Sequence, residues 1–273
     1  MTIDDLIKWL TSGTVTFTTS ERAVLFTGAD ARSWLQGQIT NDINKLNIES
    51  PLSACICSPT GQLMTTVRLH DQKDGIIAIT PHPEVLLGRV EDFVIMEDVS
   101  AELLPGAVST EQGLGAKGEL AHDRTGFGGF DILETAPNGL SESELLELEI
   151  LAGIPRFGFE IGPKTLPPEL GPNFDLNFIN YEKGCYTGQE VLQRLHSRGH
   201  TNKTLVGLLS DSDLIAGDIV VSGQKVGTIH RIAHSIQHGF LATATLRNEF
   251  TGSGSQLKWD SGAATVHSLP FRL

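Results

Sequence analysis

The short joins between strand-like segments constrain this chain most. PLSACIC (51–57) and QLMTTVRLH (62–70) both read as strands, and only Ser58-Pro59-Thr60-Gly61 lies between them. Pro at the second turn position and Gly at the fourth suit a type I turn, so the segments pair as a hairpin. Asp71-Gln72-Lys73-Asp74-Gly75 separates the second arm from IIAIT in the same way. Joins this short cannot hold a parallel crossover, which takes about a dozen residues. The first half is therefore α+β, an antiparallel sheet with helices packed on it.

The helices are marked by their ends. Asp30 is placed to cap ARSWLQGQI, where Trp34, Leu35 and Ile39 recur at helical spacing. Thr80 is placed to cap a helix with Pro81 in its first position. Ser141 and Glu144 have capping-box spacing before LLELEILAG, and Gly153 and Pro155 stop that run. Residues 161–173 read as a loop. Beyond about residue 203, TLVGLLS, DIVVSG, QKVGTIH and GFLATATL are short strand-like runs broken by Gly and Ser, the pattern of a small β-barrel or sandwich. The predicted division is 1–203, an α+β core that can split into two subdomains, and 204–273, a C-terminal β-barrel.

Composition excludes several classes. Lys and Arg number 20 against 33 Asp and Glu, a net charge of −13, which opposes direct binding to nucleic acid or to an anionic membrane. No apolar run approaches the ~18 residues of a membrane span. Asp4 and Asp5 stand where a signal peptide would be positive, so a soluble, cytoplasmic protein is expected. Cys55 and Cys57 alternate onto one strand face and read as small buried hydrophobes. His230, His234 and His238 are spaced by four, as are His196 and His200. The first set lacks a zincin glutamate and a partner cysteine, and Gly199 breaks the helix between the second pair, so no metal site is expected.

The densest chemistry lies in Lys183-Gly184-Cys185-Tyr186-Thr187-Gly188-Gln189-Glu190. Thr187 and Glu190 have capping-box spacing, so a helix is expected to start here and to end at Gly199, with Glu190 and Arg194 paired on its open face. Cys185 then sits just before a helix N-terminus with the Lys183 ammonium nearby, and both favour a thiolate. A buried thiol in a glycine-rich turn fits the same residues equally well.

KGCYTGQE resembles the signature of the YgfZ-type folate-binding, tRNA-modifying proteins, relatives of the glycine-cleavage T-protein, an aminomethyltransferase. GADARSWLQGQITND (28–42), SPTGQLMTTVR (58–68), AGIPRFG (152–158) and LPPE (166–169) extend the likeness over roughly residues 22–250. The resemblance implies a T-protein-like folate-binding core around a central hole, with a C-terminal barrel. It implies tetrahydrofolate or a derivative as cofactor. It implies a role in assembly or repair of iron–sulfur clusters, with iron–sulfur client or assembly proteins, tRNA-modifying enzymes among them, as partners. Cys185 would be the functional thiol at the mouth of the folate cavity, with Lys183, Gly184, Tyr186, Gly188, Gln189 and Glu190 completing the cofactor site. Arg156 would either meet a folate carboxylate or pair with a nearby acid.

The departures from T-proteins are specific. Where they carry an Asp-Asp pair after the first hairpin turn, this chain has Thr65 and Thr66. Where they carry a pterin-holding Glu before Ala-Gly, it has Leu151, and an Arg two residues earlier is Glu149. A hydroxyl without a nearby base cannot replace a carboxylate at a folate nitrogen. A folate-binding protein without aminomethyl transfer is thus preferred to a tetrahydrofolate-dependent aminomethyltransferase or one-carbon transferase. A non-catalytic protein-interaction module is the third reading.

Overall fold

The computed structural model describes residues 2–199 and 201–271, which form three antiparallel sheets. The first runs in the order β3 (Leu52–Cys57), β4 (Leu63–Gln72), β5 (Gly75–Thr80), β2 (Arg22–Thr27), β6 (Ser100–Leu103). The predicted hairpin is its β3–β4 pair, closed by a hydrogen bond from Gly61 N to Ser58 O of 2.9 Å. The second is β1 (Val15–Thr18), β7 (Ser109–Gln112), β9 (Gly129–Ile132), β8 (Leu120–Ala121). Its strands β7, β8 and the start of β9 fall in the Gly-rich segment 105–130, to which the sequence alone assigns no element. The third is β11 (Gly217–Val221), β12 (Gln224–Ser235), β13 (Gly239–Arg247), β10 (Lys203–Ser210), β15 (Gly262–His267), β14 (Gln256–Trp259).

The first sheet is covered on both faces, and β3 shows why. Its period of two sends Ala54 and Ile56 into a core with Trp34 and Leu35 of α2 (Ala31–Gln38) and Leu86 of α3 (Pro83–Phe93). Cys55 and Cys57 face the other way, into a core with Phe174 of α5 (Pro172–Phe178), Leu192 of α6 (Gln189–Arg198) and Tyr186 from the turn before α6. Both thiols are fully buried, as their alternation predicts.

Where a small C-terminal β-barrel is expected, the third sheet curls into a half-barrel. Its edge strands β11 and β14 share no ladder, and one backbone bond, Asp260 N to Val220 O at 3.0 Å, spans them. Its concave side holds its own core around Leu208, Ile219, Ala244 and Val266. Its outer side meets the rest of the chain. α1 (Ile3–Ser12) buries Ile3, Leu6 and Leu10 against Leu145 and Leu148 of α4 (Glu142–Ala152), Ala233 of β12 and Leu241 of β13. Each such side chain contributes roughly 1.5–3 kcal/mol by burial.

Several local expectations shift. Asp30 precedes α2, but its carboxylate accepts from Asp98 N at 2.9 Å and leaves the helix uncapped. α3 begins at Pro83 after His82, because Thr80 stays in β5 and its hydroxyl meets that of Thr65 at 2.7 Å. The Ser141–Glu144 box forms, with Ser141 N donating to Glu144 at 2.8 Å, and Gly153 ends α4 with φ 66°. The 161–173 segment contains a 3-10 turn, Pro167–Leu170, and the start of α5.

Candidate functional site

A cavity of about 560 Å³ opens where the β3–β4 hairpin, the start of β2, α4, α5 and the 153–159 turn converge. Strand period aims Thr66 and Arg68 of β4 toward it, together with Ser53, the cross-strand partner of Arg68, whereas Thr65 points to the opposite face and is sealed. Aromatic rings form one wall. Phe174 and Phe178, a turn apart on α5, stack at 4.0 Å with an interplanar angle of 4°, and Phe157 meets His82 edge-on at 4.6 Å. Asn173 and Asn177 bring amides to the rim.

A buried ion network reaches the cavity through Glu21, Arg68, Arg124 and Arg156 and continues behind it. Glu21 is clamped between Arg68 and Arg124. Asp131 accepts from Arg68 Nη2 at 3.1 Å, from Arg124 Nη2 at 3.4 Å and from His122 Nδ1. Glu149 takes Arg156 in a fork, Nε at 2.6 Å and Nη2 at 2.8 Å. Glu160 accepts from Arg231 Nε at 2.7 Å and from the Thr243 hydroxyl. Burial alone would raise the carboxyl of Glu21, but Arg124, Arg68 and Arg156 outweigh it and hold the group well below the usual range. Asp131 is held low against burial by His122, Arg68 and Arg124. Burial, reinforced by Arg68, drives His122 down to about 3, so its imidazole is neutral. Each charge has an opposite partner, which keeps the network polar without leaving an isolated buried ion.

Sequence reasoning missed most of this network. Arg68 carries a readable signal, a charge at an inward position of the apolar strand TTVRLH, and Glu149 carries another, an acid among the apolar residues of α4. Arg124 and Asp131 have none, because they lie in a Gly-rich stretch with no periodicity. Arg156 does line the cavity, and it pairs with Glu149. The charge reversal at 149 is therefore matched by a cation from the following turn. Leu151 lies away from the cavity, in the core beneath α1.

The 183–190 segment forms a separate feature, packed on the hairpin tip and the end of α2, and it lines neither this cavity nor the second one of about 920 Å³ between α5, α6 and β10. Lys183 is buried. Its ammonium donates to the carbonyls of Gln36, Ile39 and Asn41 at 2.5, 2.7 and 3.0 Å, completing the C-terminal end of α2. Burial lowers it to about 8. Cys185 and Gly184 are exposed. Tyr186 is buried with an unpartnered hydroxyl, 5.0 Å from the Lys183 ammonium across its ring. The predicted Thr187–Glu190 capping box does not form. Gly188, with φ 87°, precedes α6, and the Thr187 hydroxyl accepts from Arg89 at 3.2 Å. A Cβ at Gly188 would lie 2.6 Å from Ser58 O, so only glycine lets the turn press onto the hairpin. Gln189 donates weakly to Lys183 O at 3.4 Å, and Glu190 is exposed and makes no ion pair with Arg194 among the described residues.

The histidines also resolve. His230 Nε2 meets Thr245 Oγ1 at 2.8 Å, His234 packs on Phe240, and His196 stacks on Tyr181 at 3.8 Å. His200 lies outside the described residues. Among the described residues no group of three or more His, Cys, Asp or Glu is arranged to hold a metal ion, and no helix is long and apolar enough to cross a membrane.

No family model matches the chain. Among solved structures, the crystal structure of glycine cleavage system aminomethyltransferase T from Bartonella henselae is similar over 96% of this chain and 87% of that one, with a TM-score of 0.75 and 16% identity. The chain therefore has a T-protein-like fold. A fold at this identity fixes architecture and not chemistry.

Proposed function

We propose that this protein binds a reduced folate in the 560 Å³ cavity and does not transfer an aminomethyl group. The observation that carries the reading is the cavity's composition. Its volume falls within the roughly 300–1,000 Å³ of small-ligand sites, and flat rings from Phe174 and Phe178 face fixed polar groups, the arrangement a planar heterocycle needs. Thr66, Ser53 and Asn177 are the polar groups within reach of such a guest. Asp123, exposed and outside the ion network, is the lining carboxylate available to an amino group on the ring, whereas Glu142 already pairs with Arg156 at 3.4 Å. The bound folate would supply a one-carbon-carrying nitrogen. Thr66 occupies the inward position of β4 and offers that nitrogen a hydroxyl, too weak an acid or base to drive transfer.

On this reading the exposed Cys185 is the functional thiol, presented outward by the turn that Lys183 and Gly188 fix. It serves the assembly or repair of iron–sulfur clusters in partner enzymes, tRNA-modifying ones included. The segment Lys183–Glu190 shapes that surface, and the resemblance in its residues supports the role.

The test joins two assays on the full chain. Calorimetric titration is expected to show saturable tetrahydrofolate binding, while an aminomethyl-transfer assay stays at background. Robust transfer overturns the non-transferring reading, and absence of binding overturns the folate reading. Cys185→Ala is expected to keep folate affinity and yet fail to restore iron–sulfur enzyme activity in a deletion strain. Normal complementation removes Cys185 from the function.

A further inference from the structure

We infer that His122 is a ligand-binding residue of the cavity, whose Nε2 lone pair selects a guest that presents an N–H. This deepens the folate reading and rests on it.

His122 lines the cavity beside Arg124, and its backbone is pinned on both sides. His122 N donates to Gly129 O at 2.9 Å, and its carbonyl accepts from Gln112 Nε2 at 2.8 Å. Its Nδ1 lies 3.3 Å from Asp131 Oδ1. Asp131 is a buried carboxylate that can only accept, so the proton of the neutral ring sits on Nδ1. Nε2 then carries a lone pair. Among the described residues no protein group donates to it, it is not one of the unpartnered atoms sealed from solvent, and the residue that carries it lines the cavity. Arg68 and Arg124 hold Asp131 in place as the partner of Nδ1.

The other acceptors nearby differ in kind. Glu21 is saturated by Arg68 and Arg124. Asp123 accepts from Thr125 N at 3.0 Å and Gly126 N at 2.7 Å, and Glu142 accepts from Ser20 N at 3.1 Å. His122 is thus a fixed, uncharged acceptor among paired ions. The chemistry it recognises is a neutral nitrogen heterocycle with a ring N–H. A tetrahydropteridine has N–H groups at ring positions where the fully oxidised ring has lone pairs. An oxidised ring would set lone pair against lone pair at Nε2, which discriminates by repulsion as well as by attraction.

The experiment compares tetrahydrofolate with folic acid by calorimetry on the wild type and on His122→Phe. The wild type is expected to prefer tetrahydrofolate by about tenfold or more, the worth of one buried acceptor. His122→Phe is expected to lose that preference, tetrahydrofolate binding more weakly and folic acid at least as well as to the wild type, with an unchanged far-ultraviolet circular dichroism spectrum as the control for folding. A second readout needs no variant. In histidine-labelled wild type, the Nε2 nitrogen resonance of His122 moves upfield when tetrahydrofolate binds. An equal affinity of the wild type for the two folates, a preference that survives in His122→Phe, or an unmoved Nε2 resonance overturns the role of His122 while leaving folate binding intact. A wild type that binds neither folate overturns both.

Discussion

Two glycines four positions apart show how differently the residues of one motif act. Gly188 has φ 87° and no room for a Cβ beside Ser58 O, whereas Gly184 faces open space at an ordinary φ. Gly188→Ala is therefore expected to destabilise the protein by about 1–3 kcal/mol or more, the scale of a strained backbone position plus a clash. Gly184→Ala is expected to fall within about 0.5 kcal/mol of the wild type. Denaturant midpoints measure both, and equal effects would contradict the geometry. Lys183 teaches the same lesson. The sequence places its charge near Cys185, but the fold spends its three donors on the end of α2. Proximity along the chain did not reveal which carbonyls were short of a donor, because those carbonyls come from a helix about 140 residues earlier.

At the scale of elements, strands were legible where alternation and turn chemistry agreed. The β3–β4 hairpin and the opposed faces of Ala54–Ile56 and Cys55–Cys57 follow from residue order alone. Caps were less legible, since Asp30 and Thr80 found tertiary partners that competed with the helix ends. The ion network was hidden because its members come from the residue before β2, from β4, from the turn between β8 and β9, from β9 and from α4, and meet only in the fold. The network and the β4 core have a consequence for pH. Burial lowers His70 on β4 to about 4 and lowers His122 to about 3, both from 6.5. The unfolded chain takes up these protons as pH falls through 6.5, and the folded chain resists until near 4 and 3 respectively. Stability is thus fully present above 6.5 and is lost on acidification, by about 1.4 kcal/mol per pH unit for each histidine. Denaturation midpoints that fall steadily from about pH 6.5 to 4.5 are expected, and a flat profile would contradict the burial of both rings.

For the whole molecule, the texture change near residue 203 marks where β10 and the third sheet begin, and α1 and α4 pack onto that sheet's outer face. The Arg231–Glu160 pair crosses the same boundary, with Arg231 also donating to Leu146 O at 3.0 Å and to Ile154 O at 2.6 Å. Arg231→Met strands Glu160 in the interior and is expected to cost about 3–5 kcal/mol. It is expected to lower one cooperative unfolding transition shared by all three sheets. Two transitions in calorimetry, only the later of them sensitive to Arg231, would show the C-terminal sheet folding by itself.

The reading as a whole depends on where a folate sits. The crystal structure of the tetrahydrofolate complex tests this most directly. The pteridine is expected in the 560 Å³ cavity, against Phe174 and Phe178 with Thr66 and His122 in contact. An empty cavity at saturating tetrahydrofolate, or a pteridine bound against the 183–190 turn, would contradict it.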